Sequence, residues 1–409
     1  YYRTTKPELW REKFRHTEEQ AAIYDWCRES LPRKSDGSAY PAIYMAYNNT
    51  TVDDLKNRIH SDCKVHTHHG WGYSVLRNAY GFLPINPRYT DQIIEQVTGR
   101  LLTNDRNKFS WITSFRFVEK LLEELMEVSE ENIYELQSKY SDLAPYKIHP
   151  EICQQASALI KQMKSVNRQI GINYMLQVWL PLFLLPTPPY EIGFVDECQD
   201  LSPARLALSF KLCKNLIFVG DTNQAINAWT GADPHSMERI AEHCSTQLPL
   251  RLSFRLPPNV AAVANTIRPT AQIRTIDNRT PGKIEKVRAE NIVEWSRSML
   301  ESNPMVICRY NAPLVKLALQ FVKADIPCKT LGDTLAKSLK STVKNRNAKN
   351  IDDLIIKLAA YEETCLRAGN AMAKQVTQDK FDCIRHVLKS CNTIADFDTM
   401  IDSILKPPK

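Results

Sequence analysis

Several things are missing from this chain of 409 residues, and each absence narrows what it can be. No apolar run is long enough to cross a bilayer. The longest, around Val178–Leu185, is broken by Pro181, whereas a spanning helix needs about 20 residues. No signal-peptide pattern opens the chain, which starts at Tyr1 rather than Met, so the natural N-terminus is expected upstream. The eleven cysteines contain no C-x-x-C pair. An odd number without framework spacing argues against disulfides and a zinc site, and for free thiols in a reducing compartment. Charge of one sign is in only modest excess. A net charge of +7 fits a polyanion partner without demanding one. Glycine is scarce, and the only Gly-Lys pair, Gly282-Lys283, has neither the upstream glycine nor the following Ser or Thr of a phosphate-binding loop.

What is present is enough chain for two or three domains with real cores, in an ordinary soluble composition. Its most informative stretch is Ile192–Gln224, IGFVDECQDLSPARLALSFKLCKNLIFVGDTNQ. Two short apolar runs, Ile192–Val195 and Leu216–Val219, each end abruptly in acidic and polar residues. This predicts buried parallel strands joined by a crossover helix. Ligands of open α/β sheets sit at the carboxyl ends of such strands. Asp196, Glu197, Gln199, Asp200, Asp221 and Gln224 all fall at or just past those ends. The cluster suits phosphoryl transfer. An aspartate directly after an apolar strand can hold Mg²⁺ beside nucleotide phosphates. A neighbouring glutamate can orient and deprotonate an attacking water, and a glutamine one strand over can sense the terminal phosphate.

VDECQD resembles motif II, the Walker B box, of superfamily 1 DNA helicases of the UvrD/Rep type. GDTNQAINAWTGAD, from Gly220 to Asp233, resembles their motif III. The resemblance implies an α/β fold with RecA-like parallel-sheet motor domains, ATP and Mg²⁺ as cofactors, and single-stranded and duplex DNA as partners. It gives Glu197 and Asp196 the catalytic positions, Asp196 the Mg²⁺, and Gln199, Asp200 and Asp221 places in the nucleotide site. Gln224 becomes the phosphate sensor, and Trp229 a platform for a DNA base.

Other segments extend the resemblance. Thr17–Arg28 reads as an amphipathic helix with Thr17 as N-cap and Gln20 at its third position. FRHTEEQ–AIYDW resembles the family's Q motif, which gives Gln20 the adenine edge. Pro41–Asn48 (PAIYMAYN) predicts a buried strand and resembles motif Ia, with Asn48 against DNA; Thr51–Arg58 continues as a helix. Val65–Gly72 (VHTHHGWG) resembles motif Ib through Thr67, His69 and Gly72, which implies contacts to the DNA backbone. His66, His68 and His69 do not converge on one ion at strand-like adjacency. Leu83–Lys164 predicts charged, amphipathic helices like the family's helical insertion. Leu248–Asn265 (LPLRLSFRLPPNVAAVAN) resembles motif IV, which casts Arg255 as an arginine finger. Met305–Gly332 predicts strand–turn–helix–strand, the opening of a second motor domain, with Arg309 and Asn311 at the end of its first strand. Leu335–Lys349 is basic and suits either phosphate tracking or a solvated helix face. The expected domains are residues 1–82 and 168–248 for the first motor domain, 83–167 for the insertion, and 249–409 for an incomplete second motor domain.

Two departures stand against this. Between the first helix and its second core strand the family has a strand, a GxxGxGKT loop and a helix, about 25 or more residues. Here only Glu29–Tyr40 (ESLPRKSDGSAY) intervenes. Loss of that strand is expected to leave a slot through the sheet, and loss of the loop to abolish tight ATP binding. The family's later T-x-H-x-x-K-G-L-E segment and final arginine box are also not found, which leads us to expect a C-terminal truncation. Two function classes stay open: an ATP-dependent helicase or translocase, or an inactive helicase-like DNA-binding or scaffold protein. The thiol usage fits a cytoplasmic location, a host nucleoid or a nucleus. Nothing in the sequence bears on oligomeric state, and no membrane association is expected.

Overall fold

The computed structural model describes residues 18–405, apart from 57, 60–61, 140–147, 226–232, 234, 277–279, 300–303, 327, 329–332 and 369–370. Tyr1–Arg15, Thr17, Trp229 and Gly231 therefore lie outside the described residues. The described chain up to Ile284 forms one compact unit, and that from Glu285 onward a second.

The first unit is built on a four-stranded, wholly parallel sheet. Its strands are β1 (Ala42–Ala46), β2 (Cys63–Thr67), β3 (Tyr190–Val195) and β4 (Cys213–Phe218), in the order β2-β1-β3-β4. Parallel neighbours require crossovers. Helix α2 (Asn49–Lys56) carries the chain from β1 to β2, and α10 (Pro203–Leu212) from β3 to β4. The strands and crossover expected over Ile192–Val219 are thus observed. Helix α1 (Glu18–Ser30) precedes the sheet. Between β2 and β3 run α3 (His68–Tyr80), α4 (Tyr89–Thr98), α5 (Lys108–Glu123), α6 (Glu130–Lys139), α7 (Ile152–Lys164), α8 (Tyr174–Trp179) and α9 (Pro181–Leu184); α4 to α7 are the helices expected over Leu83–Lys164. After β4 come α11 (Ser236–His243), β5 (Leu252–Ser253), α12 (Pro258–Ile267) and β6 (Arg274–Thr275), with β5 and β6 paired in parallel.

Three expectations need correcting. The sheet has no slot: Ala42 to Met45 of β1 pair directly with Ile192 to Val195 of β3. β4 is not buried like β1. It ends the sheet, and Asn215 to Phe218 are only half-buried. The strand expected at Met305–Cys308 is absent: residues 304–308 are irregular and exposed, with Ile307 at 83%. An apolar run becomes a strand only where a neighbour takes its backbone hydrogen bonds, and these residues pair with no strand among those described.

The core of the first unit joins the sheet to the helices between β2 and β3. Ile43 and Met45 of β1 and Val195 of β3 are fully buried with Trp111, Phe115 and Val118 of α5. Closest approach falls at Gly72, where a Cβ would stand 1.7 Å from the Gln177 carbonyl oxygen. Gly72 therefore lets α3 pack on α8, a structural reason for the glycine that the motif resemblance did not show. Asn173 caps α8 by accepting the Leu176 N–H, and its amide donates to Glu119 on α5. Burial pushes the Glu119 carboxyl up to about 7, although Asn173 favours its charged form.

The second unit is helical: α13 (Ile292–Ser298), α14 (Asn311–Lys323), α15 (Asp333–Lys344), α16 (Ile351–Ala368), α17 (Ala371–Leu388) and α18 (Ile394–Leu405). Buried Asp379 of α17 accepts the Asn311 and Ala312 N–H groups at 2.9 and 2.8 Å, capping α14 from another helix. In the basic stretch, Leu339 and Val343 are buried and Lys340 pairs with Asp402 at 2.9 Å. This is an amphipathic helix with a solvated face.

Gly72→Ala should lower stability by about 3 kcal/mol or more, because the clash is with backbone; a urea midpoint unchanged from the parent would contradict the close packing. Glu119 tests the buried carboxyl. Its raised folded pKa means the stability it contributes is complete below the ordinary carboxylate range and is lost as pH rises through 7, by roughly 3 kcal/mol. Glu119→Gln should match the parent near pH 4 and be more stable at pH 8 by denaturant unfolding.

Candidate active site

Strand β3 ends at Val195, and the Asp196 N–H donates to the Met45 carbonyl of β1 at 3.0 Å. Asp196 thus lies where pairing stops. The backbone then turns sharply at Glu197, which is left-handed at φ 51°, ψ 42°. A non-glycine residue there stores about 1 kcal/mol or more, a pattern found at functional sites. The short helical turn Cys198–Asp200 follows, with Gln199 and Asp200 buried. From behind, the Ser236 hydroxyl donates to the Cys198 carbonyl at 2.8 Å, and the Cys198 N–H reaches Val219. At the end of β4, the Asp221 carboxylate accepts the Asn223 N–H at 2.9 Å and the Gln224 amide at 2.8 Å.

These turns open on a cavity of about 520 Å³ lined by Asp196, Glu197, Gln199, Asp200 and Gln224 on one side, and by Tyr47, Asn48 and Thr51 on the other. No lysine or arginine lines it among the described residues. Carboxylate oxygens are the donors Mg²⁺ takes, so Asp196 and Glu197 suit that ion. The residues present do not supply the cationic cradle that a triphosphate needs. Where that loop would stand, Arg33 and Ala39 bridge across a tight turn with Gly37 at φ 80°.

The segment around this site has known relatives. Residues 187–245 match the UvrD/REP helicase N-terminal domain. This stretch is similar to the N-terminal domain of UvrD-like helicases. Over 107 residues the chain is 34% identical to the mitochondrial ATP-dependent DNA helicase HMI1 of Saccharomyces cerevisiae; the match covers 24% of this chain and 15% of the yeast protein.

The other residues that the UvrD-like resemblance singled out are scattered. Asn48 joins the carboxylates, and its side chain also accepts the Thr51 N–H at 2.8 Å, capping α2. Thr67 caps α3 by accepting the Gly70 N–H at 3.0 Å. His69 turns inward to a smaller cavity of about 160 Å³ beside Arg205 and Trp179. Burial and the nearby Arg205 charge push it down to about 4. His68 is buried and hydrogen-bonds Ser209 at 2.8 Å. Both histidines begin a helix, not the strand their spacing suggested. Arg255 is exposed just after β5, where its N–H donates to Ser253 at 3.2 Å. Arg309 lies in the second unit, 6.0 Å from the Tyr310 ring centre. Trp229 is outside the described residues.

Two residues were missed. Tyr44 lies opposite Phe194 in the sheet, its ring stacked on that of Phe194 at 6.2 Å. Asp196 is two residues further along the same face, and burial together with that carboxylate raises the Tyr44 phenol above its ordinary range. Strand alternation could have suggested the pairing. Glu19, next to Gln20, is the other. Its carboxylate accepts the Arg251 and Leu252 N–H groups at 2.8 and 3.1 Å and the Arg274 guanidinium at 2.6 Å. It ties α1 to the strand that leads into Ser253–Arg255. No sequence signal marks a contact more than 230 positions away.

Burial opposes ionisation of Glu19, but its donors outweigh burial and hold the carboxyl below the usual range. The stabilisation is therefore present above the ordinary carboxylate range and is lost as pH falls through the lower folded value. Glu19→Ala should cost about 2 kcal/mol at pH 7, and its urea midpoint should approach the parent's near pH 3. A gap of equal size at both values would remove the charge from the explanation.

Proposed function

We propose that the chain is part of an ATP-dependent DNA helicase or translocase, and that the Ile192–Gln224 stretch supplies its water-activating and phosphate-sensing groups. The observation that carries this reading is the meeting of Asp196, Glu197 and Gln224 at the carboxyl ends of two adjacent parallel strands, in one cavity. Glu197 is exposed and set apart by its left-handed turn, so its carboxylate can reach a water in the cavity and take its proton. Asp196, beside the Tyr44 phenol, would hold Mg²⁺, which when bound offsets phosphate charge. Gln224, anchored by Asp221, faces the same space from β4. In this reading Gln20 meets the adenine, and Gln199, Asp200 and Asp221 brace the site. Arg255 would stabilise a transferring phosphoryl group, and Thr67, Trp229 and Arg309 would serve DNA. The two units are then a RecA-like motor domain and part of a second.

A second reading is favoured by one specific observation. The turn at Arg33–Ala39 stands in place of a phosphate loop, and the cavity has no lining cation among the described residues. On that reading the chain grips DNA without turning over ATP.

DNA-stimulated ATP hydrolysis by the chain decides between them. Turnover that falls at least about 100-fold in Glu197→Gln supports the first reading. Single-strand binding by fluorescence anisotropy, with no detectable nucleotide binding, establishes the second.

A further inference from the structure

Gln199 is placed among nucleotide-contacting residues by resemblance, yet its side chain is already engaged at both ends. It is 2% exposed. Its Nε2 donates to Glu197 Oε2 at 2.6 Å, and its Oε1 accepts the Asp221 N–H at 3.1 Å. Only one orientation of the amide satisfies both, because a flip would set oxygen against carboxylate and NH₂ against N–H. Asp221 in turn accepts from Gln224 at 2.8 Å. Glu197, Gln199, Asp221 and Gln224 therefore form an unbroken hydrogen-bonded line from the end of β3 to the end of β4. The neighbouring backbone is shaped to this amide: at Gly220 a Cβ would stand 2.6 Å from Gln199 Oε1. The same Gly220 Cβ would meet Cys198 Sγ at 2.7 Å.

We propose that Gln199 is a positioning residue that makes the Glu197 carboxylate and the Asp221–Gln224 turn one mechanical unit, so that a change at Glu197 is felt at Gln224. Both ends of its side chain are held by protein partners. The role deepens the reading of Glu197 as the water-activating group and rests on it for its significance, although its test does not. Hydrogen-bonded side-chain relays are worth more than their separate links, and a double-mutant cycle is the clean way to expose the coupling. Removing the carboxylate at one end should loosen the turn at the other, but only while Gln199 connects them.

The experiment is hydrogen–deuterium exchange with mass-spectrometric readout on the whole chain, following the peptide over residues 219–225, without nucleotide or DNA. Gln199→Met should speed exchange there about tenfold, as expected for one lost net hydrogen bond. Glu197→Ala should speed it several-fold; alanine carries a left-handed strain like that of glutamate, so the backbone contribution largely cancels. The double variant should exchange like Gln199→Met alone. Glu197→Gln guards against misfolding: its amide oxygen still accepts from Gln199 Nε2, so the turn should stay as protected as in the parent. Multiplying effects in the double variant would overturn the proposal. So would a turn indifferent to Glu197→Ala in the parent, or one loosened as much by Glu197→Gln as by Glu197→Ala. Because no ATP is present, failure of this coupling leaves the hydrolysis reading standing, and absence of ATP turnover leaves the coupling standing.

Discussion

The pairing of β3 between β1 and β4 is the constraint on which the candidate site depends. Its register sets Val195 beside Met45 and Phe218, so all three strands stop at the same level. Beyond their ends, Asp196, Asn48 and Gln224 meet in one cavity. Slipping β3 by one residue would turn Asp196 to the opposite face and Val195 out of the core. Fully buried Ile43, Met45 and Val195 make that slip costly. The hydrophobic effect thus fixes the position of charged groups that it would otherwise exclude.

Around that level the molecule spends conformational freedom in a graded way. Glu197 accepts a left-handed backbone, Gly220 gives up a side chain to Gln199, and Gly72 gives one up to let two helices touch. Each is tolerated because neighbours over-determine it: Ser236 and Val219 hold Cys198, and Ser202 and Pro203 start α10. The cavity lined by Asp196, Glu197 and Asp200 is acidic and lacks a lining cation among the described residues. Such a space attracts a divalent cation far better than an uncompensated phosphate, and this is the physical tension between the two functional readings.

Legibility differed by element. β3, α10 and β4 were readable because short apolar runs with abrupt polar ends, joined by helix-compatible sequence, read as strands of a parallel sheet. The helices between Leu83 and Lys164 were readable from their periodicity. Met305–Cys308 shows the limit of the same rule. Its apolar pattern is that of a strand, but a pattern carries no partner, and the described residues provide none. The histidines at 68 and 69 were misplaced because Thr67, read as part of an extended motif, is a helix cap.

By itself the sequence determined the strand ends, the chemical types gathered there and the kinship of residues 187–245 with UvrD-like helicases. These follow from local composition and order, which survive without knowledge of neighbours. Only the tertiary structure decided that Asn48 shares the cavity of Asp196, that His69 faces inward, that Glu19 clamps α1 to β5, and that Asp379 caps a helix 67 positions before it. It also closed the sheet where a slot was expected. Each of these is a contact between segments far apart in the chain, whose partner is selected by packing and hydrogen-bond geometry and leaves no periodic mark on either segment alone.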